Sequence, residues 1–361
     1  MDLNQCTIEE LKQECEQFGV KSPNGLTKNE LVHYVYGLYS EQEKGIDHNN
    51  RVRTVIGDLK IVPKPFEGDF DDWEEHLVQH GWSLVKIPDF DSASYVDKFY
   101  NWLESCNANF KRDDPSTWIN ANMPSNIHGI FKHYIGHLDF VWEIREKCLP
   151  IFAQLWGTEQ LLCSFDGGCF LKPIPPHVVN HNKQWIHSDQ PRYDNRFICV
   201  QGVVNLLDNG PQDGGLVIVE GSHRLFEGYM ERHPTDGIMW QAADMNDPEL
   251  AKCPIIKICA PAGYLLLWDS RTFHCNYNPS GEKPRMCTYV SMSPREGVDE
   301  ATLKKRQKYY EEGRMTGHWT ANSPWFKMNP KEPRTYGGPN NKPEAVEIAT
   351  LNEVQRGLVG Y

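Results

Sequence analysis

The chain lacks the cysteine pattern of a disulfide framework or of a thiolate zinc site. Its eleven cysteines are irregularly spaced, odd in number and never arranged as C-x-x-C. This pattern fits a reducing intracellular compartment, cytoplasmic or nuclear. No apolar run reaches the ~18 residues that a membrane-spanning helix needs, and the first residues resemble no signal peptide. We therefore expect a soluble intracellular protein with no membrane partner.

Positive charge is also scarce. The chain holds 37 Lys and Arg against 49 Asp and Glu, a formal net charge of -12. That balance argues against a protein built mainly to grip phosphate backbones, and the nucleotide-binding patterns G-x-G-x-x-G and P-loop are missing. The remaining composition is ordinary, with 39% hydrophobic and 24% charged residues. A length of 361 residues allows one large core and a small extra domain.

Residues 1–40 predict two short helices around a glycine-containing turn. Thr7 with Glu10 and Thr27 with Glu30 have the spacing of two capping boxes. This pattern resembles a SAP domain, and the resemblance implies contact with DNA or RNA. The unit carries six acidic and three basic residues, which works against phosphate binding. A protein-docking or purely structural helical pair stays open, and residues 41–62 have the polar composition of a linker.

The rest of the chain predicts helices packed on a strand-rich centre. Helices are expected over residues 71–80, 92–105 and 138–156, with a bend or break at Pro150. Short strands separated by turn signals follow between residues 160 and 295, which is typical of a sandwich or jelly roll. We expect the main domain to span residues 63–296. Residues 297–361 would add a helix near 299–312 and an extended tail packed on the core through Trp319, Trp325 and Phe326.

Two histidines and one aspartate suggest a metal site. His187 and Asp189 are two positions apart, so they share one side of an extended strand. His274 follows far downstream, and Arg285 lies at the start of the next strand-like run. Two histidines and one carboxylate bind three neighbouring positions of iron(II) and leave the opposite face open. Any one of the fourteen histidines is more often structural, so the argument rests on the set.

The same segment resembles the phytanoyl-CoA dioxygenase-like branch of the Fe(II)/2-oxoglutarate oxygenases. The matching features are His187-Ser188-Asp189, the run 204–208, the G-G-L-V-I-V-E-G-S-H-R stretch at 214–224, His274 and Arg285. The resemblance covers roughly residues 70–295. It implies a mainly β fold, a double-stranded β-helix or cupin-like jelly roll with flanking helices. It also implies iron(II), 2-oxoglutarate as co-substrate and O2.

The resemblance assigns roles to individual residues. His187, Asp189 and His274 would be the metal ligands and the catalytic centre. Arg285 offers a planar fork of donors for the distal carboxylate of 2-oxoglutarate. Lys132 and Asn276 would also touch the oxoacid, although a surface lysine and a strand-end turn are the plainer interpretations.

Two alternatives remain at this point. One is a metal-binding jelly roll without turnover, a scaffold directed by its SAP-like unit to chromatin or a protein partner. The other is a zinc hydrolase using the same three ligands. Arg285 favours the oxygenase, because neither alternative needs a clamp for an oxoacid. The sequence names no substrate.

Overall fold

The fold is that of a computed structural model, which describes residues 6–17, 28, 31–32, 35, 60–173, 185–234, 240–279, 281–321, 341–344 and 347–361. Of the predicted second N-terminal helix only residues 28, 31–32 and 35 are described, and these are helical. Most of the 41–62 linker and the anchors Trp325 and Phe326 lie outside the described residues. The predicted division into domains therefore stays a prediction.

Strands dominate the centre of the chain. In chain order they are β1 (Val62–Lys64), β2 (Trp82–Lys86), β3 (Asn126–Ile127), β4 (Ile130–Phe131), β5 (Leu161–Cys163), β6 (Gly168–Leu171), β7 (His187–Ser188), β8 (Val200–Asn205), β9 (Gly215–Val219), β10 (Gln241–Ala242), β11 (Ile255–Ile258), β12 (Tyr264–Asp269), β13 (His274–Tyr277) and β14 (Arg285–Pro294). The predicted strands at 168–171 and 255–258 are confirmed to the residue.

Within the described residues the strands form two sheets. The larger has the order β2-β12-β8-β14-β6-β4-β3, with β5 also paired to β14, and the smaller has the order β1-β11-β9-β13-β7-β10. Apart from the parallel pair β1 and β11, neighbours are antiparallel. Two facing sheets with these crossovers form the expected jelly roll, or double-stranded β-helix.

The α-helices whose bounds the structure describes flank the sheets. They are α1 (Ile8–Gln17), α2 (Trp73–His80), α3 (Ser92–Cys106), α4 (Asp139–Trp156), α5 (Phe226–Arg232), α6 (Glu300–Glu311) and α7 (Glu353–Val359). At the start of α1, the Thr7 amide donates to Glu10 Oε2 over 2.6 Å and the Glu10 amide to Thr7 Oγ1 over 3.2 Å. That capping box is confirmed, whereas its meaning as part of a SAP domain is not shown.

Successive side chains of a strand point to opposite faces of its sheet, and this divides the core into layers. In β12, Leu265 and Leu267 pack with the aromatic faces of α3 and α4, while Leu266 and Trp268 point to the opposite face. That second face meets Ile218 of the smaller sheet. Because side chains alternate along a strand, the larger sheet is covered on both sides. The inner layer forms the interior of the jelly roll, where the candidate site lies.

Three expectations need correction. Helix α4 runs unbroken through Pro150, so a break there is wrong; its apolar side chains Phe140, Ile144 and Phe152 stay packed in the core on both sides of the proline. Strand β1 begins at Val62, so the last residue of the expected linker belongs to a sheet. The tail also ends in α7, which is capped by Asn352 and Gln355 and was missed because it has only seven residues.

None of the helices in the described part of the chain combines the length and apolar character needed to cross a membrane. All eleven cysteines are free thiols.

Candidate metal centre

His187 and His274 lie side by side on neighbouring strands of the smaller sheet. They are directly paired in the antiparallel register of β7 and β13, and their ring centroids are 4.5 Å apart. Both side chains are buried. The residue before His274 is anchored by a buried serine, because the Phe273 amide donates a hydrogen bond to Ser222 Oγ over 2.9 Å. The G-S-H-R turn therefore helps to set the position of His274.

Asp189 follows the short strand β7 and lies between the two histidines. Its Oδ1 is 3.4 Å from His187 Nε2, and its Oδ2 is 3.5 Å from His274 Nε2. The residues on either side of Asp189 are held by the protein, since Ser188 Oγ donates to the Ser270 carbonyl and Gln190 Nε2 donates to the Asp194 carbonyl. The carboxylate is thus directed inward by its anchored neighbours.

The hydrogen bonds of the two imidazoles determine which nitrogens face Asp189. His187 Nδ1 donates to the Trp185 carbonyl over 2.8 Å, and His274 Nδ1 donates to the Thr272 carbonyl over 2.9 Å. A carbonyl oxygen only accepts, so in the neutral rings the proton is on Nδ1 and the lone pair is on Nε2. Two lone pairs and a carboxylate therefore converge. Without a cation between them these three acceptors would repel one another.

Electrostatics favour the metal-binding forms of His274 and Asp189. Burial and the neighbouring His187 lower the pKa of His274, which favours the neutral ring. Burial alone would raise the pKa of Asp189, but His187, His274 and His318 bring that pKa well below its usual range. An ionised carboxylate beside neutral imidazoles is the state in which these side chains bind a metal ion.

The donor set fits a divalent iron ion. One ligand atom from each of His187, Asp189 and His274 lies within 4.8 Å of the others, and no other such group of His, Cys, Asp and Glu is found among the described residues. Two nitrogens and one carboxylate oxygen are the ligands typical of non-haem iron(II) sites, which keep three positions open.

Arg285 and Asn276 form a second polar unit inside the jelly roll. Asn276 lies two positions after His274 on β13, so both face the interior. Arg285 is only 3% exposed, and its Nη1 donates to Asn276 Oδ1 over 2.7 Å. Arg285 Nε and Asn276 Nδ2 are buried without a hydrogen-bond partner among the described residues. A buried guanidinium without an anion is costly, so this unit can accept a carboxylate.

The first glycine of the recognised motif, Gly214, makes room for Arg285. A Cβ on Gly214 would lie 2.9 Å from Arg285 Cβ and 2.9 Å from Pro279 Cδ. These separations are closer than packed carbon atoms tolerate. Gly214 is therefore needed for Arg285 to occupy the interior.

Lys132 is not a surface lysine. Its side chain is half-buried. Burial lowers the pKa of Lys132, and the neighbouring Cys169, Asp166 and Asp189 partly offset that lowering. The assignment of Lys132 to the oxoacid stays a prediction. Asn276, likewise, lies in a strand instead of a strand-end turn.

Sequence reasoning missed two side chains beside Asp189. Gln201 of β8 donates from Nε2 to Asp189 Oδ2 over 3.4 Å, and His318 Nδ1 is 4.0 Å from the same oxygen. Gln201 belongs to a predicted strand, but one glutamine in an apolar strand gives no functional signal. His318 lies in the tail after α6, and nothing in the sequence connects that tail with the centre.

Aromatic rings line one side of the metal centre. His128 stacks on Trp185 with a centroid separation of 4.4 Å, Trp185 on His187 with 4.6 Å, and His187 on Trp240 with 5.5 Å. Trp240 is 49% exposed. Trp185 therefore lines the site through its contact with His187.

Known proteins resemble the central part of this chain. A family model described as phytanoyl-CoA dioxygenase matches residues 84–287, a range that includes the His187, Asp189 and His274 set and Arg285. Ava biosynthesis cluster protein O of Aspergillus versicolor is 30% identical over 274 residues, which are 70% of this chain and 86% of that protein.

Solved structures resemble it less closely. The epimerase SnoN, crystallised with Fe3+, alpha ketoglutarate and nogalamycin RO, shows 15% identity and a TM-score of 0.42, covering 62% of this chain and 82% of SnoN. EctD from S. alaskensis with bound Fe shows 13% identity and a TM-score of 0.42, covering 68% of this chain and 84% of EctD.

Proposed function

Because the chain belongs to the phytanoyl-CoA dioxygenase family and is a 2-oxoglutarate-dependent non-haem iron enzyme, we propose that it hydroxylates a C–H bond of its substrate. The cofactors are iron(II), 2-oxoglutarate and O2. In the proposed reaction one oxygen atom of O2 enters the substrate as a hydroxyl group. The other enters succinate, formed from 2-oxoglutarate with loss of CO2, so atoms and electrons balance.

The convergence of His187 Nε2, His274 Nε2 and the Asp189 carboxylate carries this proposal. These three groups would hold the iron on one face and leave room for the co-substrate and O2 on the other. The bound iron would supply the redox chemistry that couples oxidation of 2-oxoglutarate to oxidation of the substrate. The carbonyl oxygens of Trp185 and Thr272 keep both imidazoles in the required tautomer.

Arg285 would bind the distal carboxylate of 2-oxoglutarate. The guanidinium is buried, and its Nε has no partner among the described residues, so a carboxylate there would make charge-assisted hydrogen bonds in a dry setting. Asn276 orients the guanidinium through its Oδ1. Lys132 would add a second cation close to the oxoacid.

Trp240 would contact the substrate. Its exposed ring stacks on the ligand His187, so a molecule approaching that ligand meets an aromatic surface. We infer a small organic substrate with an apolar or planar part. The formal net charge of -12 disfavours a large polyanion.

The non-catalytic scaffold is the competing hypothesis, and Arg285 opposes it because a scaffold needs no oxoacid clamp. Contact of residues 1–40 with nucleic acid or protein stays a prediction.

Anaerobic addition of iron(II) and 2-oxoglutarate tests the proposed function. The wild type should develop the weak visible charge-transfer band of an iron-bound oxoacid, and His187→Ala should not. In air, succinate release should rise when the correct compound is present in a substrate panel. No band together with no succinate would show that the proposal is wrong.

A further inference from the structure

The segment after α6 enters the metal centre although it lies beyond the family-matched residues 84–287. It is tied to the core before and after His318. Thr316 exchanges two hydrogen bonds with Phe165: the Thr316 amide donates to the Phe165 carbonyl over 3.2 Å, and the Phe165 amide donates to Thr316 Oγ1 over 3.0 Å. Two residues after His318, Thr320 hydrogen-bonds Ser293 and accepts from Arg306.

The side chains on either side of His318 are also fixed by packing. Met315, Thr316, Trp319 and Thr320 are all buried, and the Arg314 carbonyl accepts from His137 Nε2 over 3.0 Å. A segment held by so many contacts presents His318 in one place.

The charged neighbour of His318 is a proposed metal ligand. Nδ1 of His318 lies 4.0 Å from Asp189 Oδ2, and the imidazole is 18% exposed. Nε2 is buried and has no hydrogen-bond partner among the described residues. No hydrogen bond among the described residues explains why the His318 imidazole is held here. Asp189 is therefore the candidate for its polar partner.

We propose that His318 is a positioning residue that donates a hydrogen bond from Nδ1 to Asp189 and, with Gln201, holds the carboxylate for metal binding. The inference rests on the proposed function. Gln201 Nε2 already donates to the same Oδ2 over 3.4 Å. The His318 separation exceeds an ordinary hydrogen bond by about 1 Å, so the proposal requires the carboxylate to turn toward Nδ1.

Geometry excludes the simpler alternative that His318 is a fourth ligand of the set. Its nitrogens are not part of the group whose ligand atoms all lie within 4.8 Å of one another. A nitrogen that donates to the Asp189 carboxylate carries a proton, so in the proposed arrangement Nδ1 of His318 has no lone pair for the metal. His318 therefore acts on the metal through Asp189.

Two isosteric substitutions separate the nitrogens of His318. The amide nitrogen of asparagine comes near the place of Nδ1, whereas that of glutamine comes near the place of Nε2. His318→Asn should keep the donor to Asp189, and His318→Gln should lose it. His318→Ala and Gln201→Ala remove one donor each, and the double variant removes both.

The experiment is anaerobic titration of the apoprotein with Co(II) alone, followed by visible absorption and calorimetry. His318→Ala should weaken Co(II) binding about 10- to 100-fold, His318→Gln should resemble it, and His318→Asn should stay within about threefold of the wild type. His80→Ala is the matched control, because the His80 side chain is 42% exposed and pairs with Glu220 instead of a proposed metal ligand; it should bind Co(II) as the wild type does.

Unchanged Co(II) affinity in His318→Ala would overturn the inference, and so would equal affinities of the Asn and Gln variants. Because these two variants have similar size and polarity, their comparison remains decisive if His318→Ala folds poorly. Failure of the wild type to bind Co(II), or normal binding by His187→Ala, would instead overturn the proposed function and the inference with it.

Discussion

His187 and His274 are direct cross-strand partners, with ring centroids 4.5 Å apart and both Nδ1 atoms hydrogen-bonded to backbone carbonyls. This relationship turns two distant histidines into one rigid pair whose free Nε2 atoms face Asp189. Backbone hydrogen bonds set the pairing, so the protein itself holds the two imidazoles in place for a metal ion. Binding then costs little reorganisation.

Metal binding should stabilise the fold through this pair. At a free Co(II) concentration 100 times its Kd, the free energy of unfolding should rise by about 2.7 kcal/mol, and chelation should reverse the gain. His187→Ala and Asp189→Ala should remain folded yet show no metal-dependent rise and no succinate release. Urea unfolding with and without Co(II) measures this, and an equal rise in either variant would remove that residue from the site.

Arg285→Ala should raise the 2-oxoglutarate concentration needed for half-maximal succinate release on the order of 100-fold, since truncating one partner of a buried charge pair costs 2–5 kcal/mol. Its Co(II) affinity should stay unchanged, because Arg285 does not face the metal ligands directly. Arg112→Ala, which removes a guanidinium paired with Glu104 on α3, is the control. An unchanged 2-oxoglutarate requirement in Arg285→Ala would exclude it as the clamp.

Asn276→Asp should harm 2-oxoglutarate binding more than Asn276→Ala does. The new carboxylate would lie where Oδ1 now accepts from Arg285 Nη1 over 2.7 Å, so it would pair with the guanidinium and compete with the co-substrate. Titration of the iron(II) protein with 2-oxoglutarate, read by the charge-transfer band, gives both dissociation constants. Equal values for the two variants would contradict the pairing.

Acid should destabilise the protein partly through His137, which anchors the segment carrying His318. Burial lowers the pKa of His137 to about 3, whereas an unfolded histidine has a pKa of about 6.5. Between these values the unfolded chain binds more protons, so stability falls as the pH falls from 6.5 toward 3. At pH 5 the loss from this group should be about 2 kcal/mol.

His137→Gln tests that contribution, because glutamine retains a donor for the Arg314 carbonyl but does not titrate. Urea unfolding of both proteins at pH 7 and pH 5 should show a smaller loss in the variant. Parallel losses would mean that His137 does not contribute.

Alternation and turn signals were enough to predict the β-rich centre. Strands such as Gly168–Leu171 and Ile255–Ile258 combine apolar runs with clear turn boundaries, and those signals are local. Helix α7 was missed since seven residues hold too little periodicity, and the break at Pro150 was wrong because core packing outweighed one missing hydrogen bond.

The sequence by itself determined the candidate residue types, through His187-Ser188-Asp189, His274 and Arg285, since together these match a recognised set of motifs. Tertiary structure alone decided the pairing of His187 with His274, the burial of Arg285 against Asn276, and the approach of Gln201 and His318 to Asp189. The physical reason is that strand pairing and the anchoring of the last segment through Thr316 and Thr320 join residues distant in sequence. Such contacts leave no periodic trace in the chain.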